Sequence, residues 1–317
     1  MVIQIRFITE TFVAPEYDCS AHSREEWTKL HGTKQLLLGI WSTVFPTICQ
    51  IMYIPAIRVF YRERRLTCYK IMFLLAIADM GGLTCFGTLF GYSMIRGMVF
   101  CSNKTLAWII GSVFWIISSC NCLLLVVNRI FQLWEKSWIF QVIFINISAF
   151  YLNFTQGTPS SLLMLATIVY GLFESLFTRP PVPNSSHQFC AFSPFIPGHS
   201  PDEYSNSPTM IHNICLATSL ISVYIVLCAL VRSKTALMIQ QSSSAAALQA
   251  KIFTQATIVC FLFGASSTVW LVQEFLFVPP PSVHDHGPGS LPCIIYLVLN
   301  QAVRYEFRMM FGMRRLK

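Results

Sequence analysis

Ionisable side chains inside long apolar stretches are the first candidates for chemistry in this chain. Asp79 is the one acid deep within such a stretch, about 16 Å along a helix from Cys68. An isolated ionised carboxylate in apolar surroundings is costly, so we expect Asp79 to be protonated, hydrated or paired. We predict that Asp79 is a polar switch within the membrane. The alternative is a structural carboxylate whose hydrogen bonds are satisfied.

Patterns typical of enzymes and metal sites are missing from the sequence. His284 and His286 form the one local histidine pair, and a metal site would need third and fourth ligands nearby. The chain has neither a phosphate-cradling glycine loop nor the pattern of a nucleophile elbow. We expect no metal, no cofactor and no enzymatic reaction.

The polar candidates are carried by apolar stretches of membrane-spanning length. Hydrophobic residues make up 54% of the 317 residues and charged residues 11%, which would leave a soluble domain short of polar surface. A helix needs about 20 mostly apolar residues to cross a bilayer. Such stretches occupy residues 35–60, 71–95, 105–131, 158–177, 209–231, 252–278 and about 288–303. The sequence therefore predicts an all-α polytopic membrane protein, a bundle of seven transmembrane helices.

The distribution of basic residues predicts the orientation of this bundle. Most of the 22 Lys and Arg residues lie in alternate gaps between the apolar stretches. Positive charge is retained in the loops on the cytoplasmic side of a membrane protein. This pattern places the amino terminus outside and the carboxyl terminus inside. It divides the chain into an extracellular segment 1–34, a seven-transmembrane domain 35–304 and a cytoplasmic basic tail 305–317. The net charge of +8 comes from these flanks and indicates contact with membrane lipids, not with nucleic acid.

One further apolar stretch, 138–154, does not fit this orientation. If it crossed the membrane together with 160–177, the basic gaps that follow would lie on the wrong face. It could lie at the membrane interface, replace the next stretch as the fourth span, or be a segment that the working protein lacks. Residues 138–157 are therefore an anomalous segment.

Two cysteines stand apart from those buried within the stretches. Cys101 precedes the third span and Cys190 follows the fourth, so both fall in predicted outer loops, where disulfides are favoured. We predict a bond between Cys101 and Cys190, which leaves Cys19 unpaired. The same two loops contain the sequons that begin at Asn103 and Asn184, so we predict glycosylation there.

Several polar side chains lie near the outer ends of the predicted helices. They could contact a small ligand in a pocket that is otherwise lined by apolar groups. A carboxylate at such an end, including Glu174 in the fourth stretch, could instead reach solvent without special purpose. The predicted ligand contacts are Trp115, His212, Asn213, Gln273 and Glu274.

A set of short motifs occurs in a fixed order from residue 17 to residue 304. These motifs are Tyr17-Asp-Cys-Ser-Ala, Glu26-Trp27, Tyr53-Ile-Pro55, Cys68-Tyr-Lys-Ile-Met72, Ala78-Asp79-Met80, Gly97-Met-Val-Phe-Cys101, Asn128-Arg129, and Ile295-Tyr-Leu-Val-Leu-Asn300 followed by Arg304. In these motifs the chain resembles the nematode serpentine chemoreceptors, which are seven-transmembrane G-protein-coupled receptors, and it is most similar to serpentine receptor class T. The segment 138–157 is not required by the family pattern.

This resemblance implies a function and a set of residues that perform it. The protein would bind a small-molecule cue from outside and activate a heterotrimeric G protein, at the cell membrane of sensory neuron cilia. Asn128-Arg129 resembles the acidic-Arg pair that rhodopsin-like receptors use in activation, with Asn in place of the acid. Asn300 and Arg304 complete the predicted coupling residues. A helical rise places Arg129 about 38 Å from Lys104, near the cytoplasmic face; the alternative role is an interfacial anchor.

Other functions remain open from the sequence alone. A transporter or channel is the main alternative, although the odd number of spans and the lack of recognisable halves weigh against it. A nonfunctional receptor product is a third possibility, because of the anomalous segment 138–157.

Overall fold

The structure is a computed structural model, and it describes residues 15–111, 113–134, 158–238, 254, 258–259, 261–269 and 287–312. The anomalous segment 138–157, the predicted ligand contacts Gln273 and Glu274, and the pair His284 and His286 lie outside these ranges.

Helices account for most of the described chain. Residues Leu83–Leu89 form a π-helical segment that joins two α-helices, and residues 261–269 are also helical. The α-helices are α1 Arg24–His31, α2 Leu36–Arg62, α3 Thr67–Gly82, α4 Phe90–Arg96, α5 Lys104–Ile109, α6 Val113–Trp134, α7 Thr158–Phe177, α8 Ser207–Met238, α9 Gly287–Leu299 and α10 Gln301–Met310. Strands β1 Val182–Asn184 and β2 Phe189–Ala191 form an antiparallel hairpin, in which Pro183 pairs with Cys190.

Four helical stretches are long and apolar enough to cross a membrane, within the ranges that the structure describes. They are Leu36–Arg62, Thr67–Arg96, Lys104–Asn128 and Ser160–Phe177. A helix is the form that such stretches adopt, because it satisfies every backbone hydrogen bond without water. The prediction of long apolar helices is confirmed for these four stretches.

Glycines let the first two spans approach closely. A Cβ atom on Gly91 of α4 would lie 2.7 Å from the carbonyl oxygen of Gly39 in α2 and 2.4 Å from Oγ1 of Thr43. Four residues earlier, a Cβ on Gly87 would lie 2.5 Å from Cγ of Pro46. Close approach at small residues is the usual means by which helices associate in a bilayer. Lipid tails are as apolar as the helix surfaces, so the hydrophobic effect does not drive the helices together there.

We expect Gly91→Ala to lower the free energy of unfolding by about 1–3 kcal/mol, because its methyl group must push α2 and α4 apart. Gly82→Ala is the matched control, since the nearest atom to its Cβ is Cβ of Phe114 at an ordinary 3.8 Å. Thermal unfolding of the purified variants in lipid nanodiscs measures both effects. Equal melting temperatures for the two variants would contradict this account of the helix contact.

Residues 15–23, α1 and the β-hairpin cover one end of the bundle, which we call the capped end. Tyr17 and Trp27 are buried there with Phe100 and Tyr204. Glu16 pairs with Arg179 at 2.9 Å between carboxylate oxygen and guanidinium nitrogen. The capped end is therefore held to the helices by both apolar packing and ionic contact.

The disulfide in the capped end differs from the predicted one. Cys101 is bonded to Cys19, with 5.5 Å between their Cα atoms, so the predicted Cys101–Cys190 pairing is wrong. Trp27 explains the change, because its indole Nε1 donates to the carbonyl of Cys19 at 3.0 Å and fixes that segment beside α1. Cys190 instead packs in a separate buried cluster with Met94 of α4.

In the region of the predicted last span, helix α9 ends at Leu299. Asn300 breaks the helix, and its Oδ1 accepts hydrogen bonds from the backbone N–H groups of Ala302 and Val303, which begins α10. Asparagine is a strong helix cap, and this explains the boundary. The predicted border at residue 304 therefore falls inside α10. On that helix Glu306 faces Arg62 of α2 at 3.7 Å.

Candidate functional site

Asp79 lies where α2, α3 and α6 meet. Its side chain is 1% exposed. The hydroxyl of Tyr53 donates to Oδ2 at 2.8 Å, and the hydroxyl of Ser118 donates to Oδ1 at the same distance. Tyr296 of α9 packs against the ring of Tyr53, with 6.1 Å between centroids. Asp79 is thus hydrogen-bonded by neutral donors, as one of the predicted alternatives requires, and it links three helices.

A second polar cluster lies between α6, α7 and α8, toward the capped end. The indole Nε1 of Trp115 donates to Oδ1 of Asn213 at 3.1 Å. Nε2 of His212 lies 3.0 Å from Oγ of Ser119, and Nδ1 lies 3.2 Å from the hydroxyl of Tyr170. The structure therefore brings together three of the five predicted ligand contacts, which are Trp115, His212 and Asn213.

Sequence reasoning considered Glu174 of α7 as a possible polar contact, but it missed Tyr170, which connects Glu174 to this cluster. The hydroxyl of Tyr170 donates to Oε1 of Glu174 at 3.2 Å, and Oγ1 of Thr209 lies 3.5 Å from Oε2. Glu174 is 3% exposed, so it does not reach solvent as the sequence allowed. The spacing of four residues between Tyr170 and Glu174 was the available signal, since it places both on one helix face.

Trp115 also connects the cluster to the helical residues 261–269. Its ring stacks on Phe263, with 5.8 Å between centroids and 30° between planes. One turn further along, the hydroxyl of Ser267 is fully buried and has no hydrogen-bond partner among the described residues. A buried hydroxyl of this kind is a group that a bound ligand could satisfy.

The predicted coupling residues lie at the end of the bundle opposite the cap. Asn128 is buried in α6, and Arg129 follows it in the same helix. The guanidinium of Arg304 donates to the carbonyl of Val298, and Asn300 caps α10. The 38 Å between Lys104 and Arg129 assumes one straight helix, whereas α5 ends at Ile109 and α6 begins at Val113.

The two sequons have different surroundings in the structure. Asn103 caps α5 by accepting from the backbone N–H of Leu106 at 3.0 Å and is partly exposed. Asn184 is 4% exposed, and its Oδ1 accepts from the N–H groups of Ser186 and His187 within the hairpin turn. The burial of Asn184 counts against a glycan on this residue in the folded chain. Glycosylation of Asn103 stays a prediction.

Comparison with known proteins agrees with this architecture. The family described as "Serpentine type 7TM GPCR chemoreceptor Srt" matches residues 2–317. One similar protein is "Serpentine receptor class T-55" of Caenorhabditis elegans, which is 26% identical over 304 residues, spanning 92% of this chain and 79% of that protein. The match extends over almost the whole sequence, from the capped end to the basic tail. The chain therefore belongs to the Srt family of serpentine type seven-transmembrane chemoreceptors.

Proposed function

We propose that this protein is a G-protein-coupled chemosensory receptor, which binds a small-molecule cue from outside and activates a heterotrimeric G protein. It would cross the cell membrane seven times, with the capped end outside, and act in the cilia of sensory neurons. The disulfide Cys19–Cys101 supports this orientation, because disulfides persist outside the cytosol. The exposed Arg64 and Arg65 at the opposite end support it through the positive-inside rule.

The observation that carries the proposal is the continuity of polar contacts along α6. Trp115 bonds to α8 and stacks on Phe263, and Ser118, three residues further on, bonds to Asp79. A cue that moves Trp115 would therefore move α6. This helix bonds to Asp79 through Ser118 and also carries Asn128. Such a cue can only shift the equilibrium by binding one helix packing more tightly than the other.

The cue would bind among Trp115, His212, Asn213 and the buried hydroxyl of Ser267. Together they offer an aromatic face and several hydrogen-bonding groups in largely apolar surroundings, which is the usual composition of a small-molecule site. Gln273 and Glu274 remain proposed contacts from the sequence.

Reconstitution of the full-length receptor with a G protein tests the function directly. Lipid vesicles containing both proteins should show cue-dependent nucleotide exchange when a panel of small volatile and water-soluble compounds is applied. Cue-dependent ion current or solute flux without nucleotide exchange would instead favour a channel or transporter.

Coupling should depend strongly on Arg129. We expect Arg129→Ala to reduce cue-stimulated nucleotide exchange about tenfold or more, because a guanidinium can donate several charge-assisted hydrogen bonds to a docked partner. Cue affinity should change little, since the residue lies at the end opposite the cap. Nucleotide exchange at matched receptor density measures the effect.

Arg65→Ala is the control for this experiment, because it removes one exposed basic residue from the same end of the bundle. It should keep at least half of the parent's exchange rate. If Arg129→Ala also keeps at least half of the parent's exchange rate, Arg129 is an interfacial anchor. A loss confined to the yield of inserted protein would lead to the same conclusion.

A further inference from the structure

A polar side chain lies at the surface of the bundle, in the middle of the first span. Gln50 follows Leu36 by 14 residues and precedes Arg62 by 12, so it is about 20 Å from either end of α2. The hydrocarbon core of a bilayer extends only about 15 Å from its centre. Gln50 is partly exposed, and Ile51 and Ile54 beside it are 45% and 38% exposed. The amide of Gln50 therefore lies within the hydrocarbon and faces the lipid.

The hydrogen bonds of Gln50 leave part of its amide without a partner. Its Nε2 donates to Oγ1 of Thr84 at 2.9 Å, and Thr84 in turn donates to the carbonyl of Met80. Among the described residues, Thr84 is the one hydrogen-bond partner of this side chain. A carboxamide has two N–H donors and one carbonyl oxygen. One N–H group and the oxygen are therefore unused, and lipid tails can satisfy neither.

Small polar residues lie beside this amide. Thr47, one turn earlier in α2, is exposed, and its hydroxyl donates to the carbonyl of Thr43 in the same helix. Thr84 is also exposed and belongs to the π-helical segment, a form that is rare and frequent at functional sites. Interfaces between membrane helices are enriched in small residues such as threonine, and glutamine side chains bond across them. We call Thr47, Gln50, Ile54 and Thr84 the amide face.

Polar groups on another lipid-facing surface are satisfied by their own helix. In α8, Oγ1 of Thr218 donates to the carbonyl of Ile214, and Oγ of Ser222 donates to the carbonyl of Thr218. A hydroxyl has one hydrogen, and this bond uses it. The amide of Gln50 differs, because one donor and one acceptor are left over after its bond to Thr84.

We propose that the amide face is the contact surface between two copies of this receptor, joined by their Gln50 side chains. The unused N–H of each amide would donate to Oε1 of the other, which gives two reciprocal hydrogen bonds. Both unused groups on each copy are then satisfied, and the bond to Thr84 is kept.

The geometry of a membrane favours a second copy over a different protein. Copies of one chain insert in the same direction, so their Gln50 amides lie at the same depth. An isologous contact uses the same surface on both partners, and a residue on the two-fold axis meets itself. A single amide in the middle of a span is consequently matched by its own counterpart. The reciprocal bonding of two carboxamides has the same two-fold symmetry.

Association of the full-length receptor in liposomes tests the contact. Energy transfer between donor-labelled and acceptor-labelled copies, over a series of protein-to-lipid ratios, should show dimers of the parent. Gln50→Leu replaces the amide by an apolar side chain that suits lipid, and it should raise the dissociation constant about tenfold. Ser222→Ala is the matched control, since it removes a lipid-facing hydroxyl of α8 and should leave the dissociation constant unchanged.

Thr84→Val separates this contact from a role within one copy. It removes the internal partner of Gln50 but leaves the amide, so the dissociation constant should stay within about threefold of the parent's value. If Gln50 served only its bond to Thr84, Gln50→Leu and Thr84→Val would lower the melting temperature alike, and neither would change association. That result would overturn the proposal.

Cross-linking identifies the surface that the two copies share. Thr47→Cys, oxidised with copper phenanthroline in the liposomes, should form more covalent dimer than the native cysteines of the parent do. Adding Gln50→Leu should lower this yield, and Val226→Cys, exposed on α8, should give no increase over the parent. Monomers at every protein-to-lipid ratio, or dimers that Thr47→Cys does not cross-link, would refute the contact. These measurements use no cue and no G protein, so they are independent of the proposed function.

Discussion

Cys19→Ser and Cys101→Ser will each lower the stability of the receptor by about 4–5 kcal/mol, the value expected for closing a loop of this length. The two cysteines are 82 residues apart in sequence, so their bond removes much of the conformational freedom of the unfolded chain. The double variant should be no less stable than either single one, because both remove the same bond. Chemical or thermal unfolding of purified receptor measures all three.

Cys190→Ala is the control for the disulfide prediction. This substitution shortens one small buried side chain, and we expect it to lower the free energy of unfolding by about 1 kcal/mol. Mass mapping of non-reduced peptides gives an independent measurement, and it should recover Cys19 linked to Cys101. Recovery of Cys101 linked to Cys190 would refute the pairing found in the structure.

Asp79→Ala will destabilise the bundle and abolish the response to the cue. The change leaves the buried hydroxyls of Tyr53 and Ser118 without their acceptor, and each loss costs about 1–3 kcal/mol. It also removes the group that connects α2, α3 and α6, through which a shift of α6 would reach its neighbours. Unfolding measurements and cue-stimulated nucleotide exchange report the two effects separately.

A double-mutant cycle provides the control for Asp79. Tyr53→Phe and Ser118→Ala each remove one hydroxyl and should lower the free energy of unfolding. The loss of stability from each should be much smaller when Asp79 is already Ala, because the shared contact is then gone. Additive losses would show that the hydroxyls and the carboxylate act independently. An Asp79→Ala receptor with normal stability and normal exchange would refute the polar switch.

Positions of the long helices were predictable from the sequence alone. The predicted stretch 158–177 coincides with α7 Thr158–Phe177, and 35–60 agrees with α2 Leu36–Arg62 to within two residues. Local hydropathy suffices here, because a bilayer forces any long apolar stretch to satisfy its backbone internally as a helix. Ordered motifs from residue 17 to residue 304 also indicated the receptor family, which the match over residues 2–317 confirms.

The roles of single polar residues were partly predictable from their positions in the sequence. A lone acid in an apolar stretch has to be satisfied, and Asp79 is. Trp115, His212 and Asn213 were recognised as polar groups near helix ends, but their mutual contacts were not. Asn300 was predicted as a coupling residue within the stretch of about 288–303, and its role as a helix cap was missed, although that role depends only on neighbouring backbone groups.

Tertiary structure alone decided which distant groups meet. Cys101 bonds to Cys19 because Tyr17 and Trp27 bury the amino-terminal segment against the capped end, and sequence spacing contains no information about that packing. Glu174 joins His212 through Tyr170 because α7 and α8 are rotated so that these faces oppose each other. The rotation and depth of each helix follow from its contacts with all the others, so they are properties of the bundle and not of any one segment.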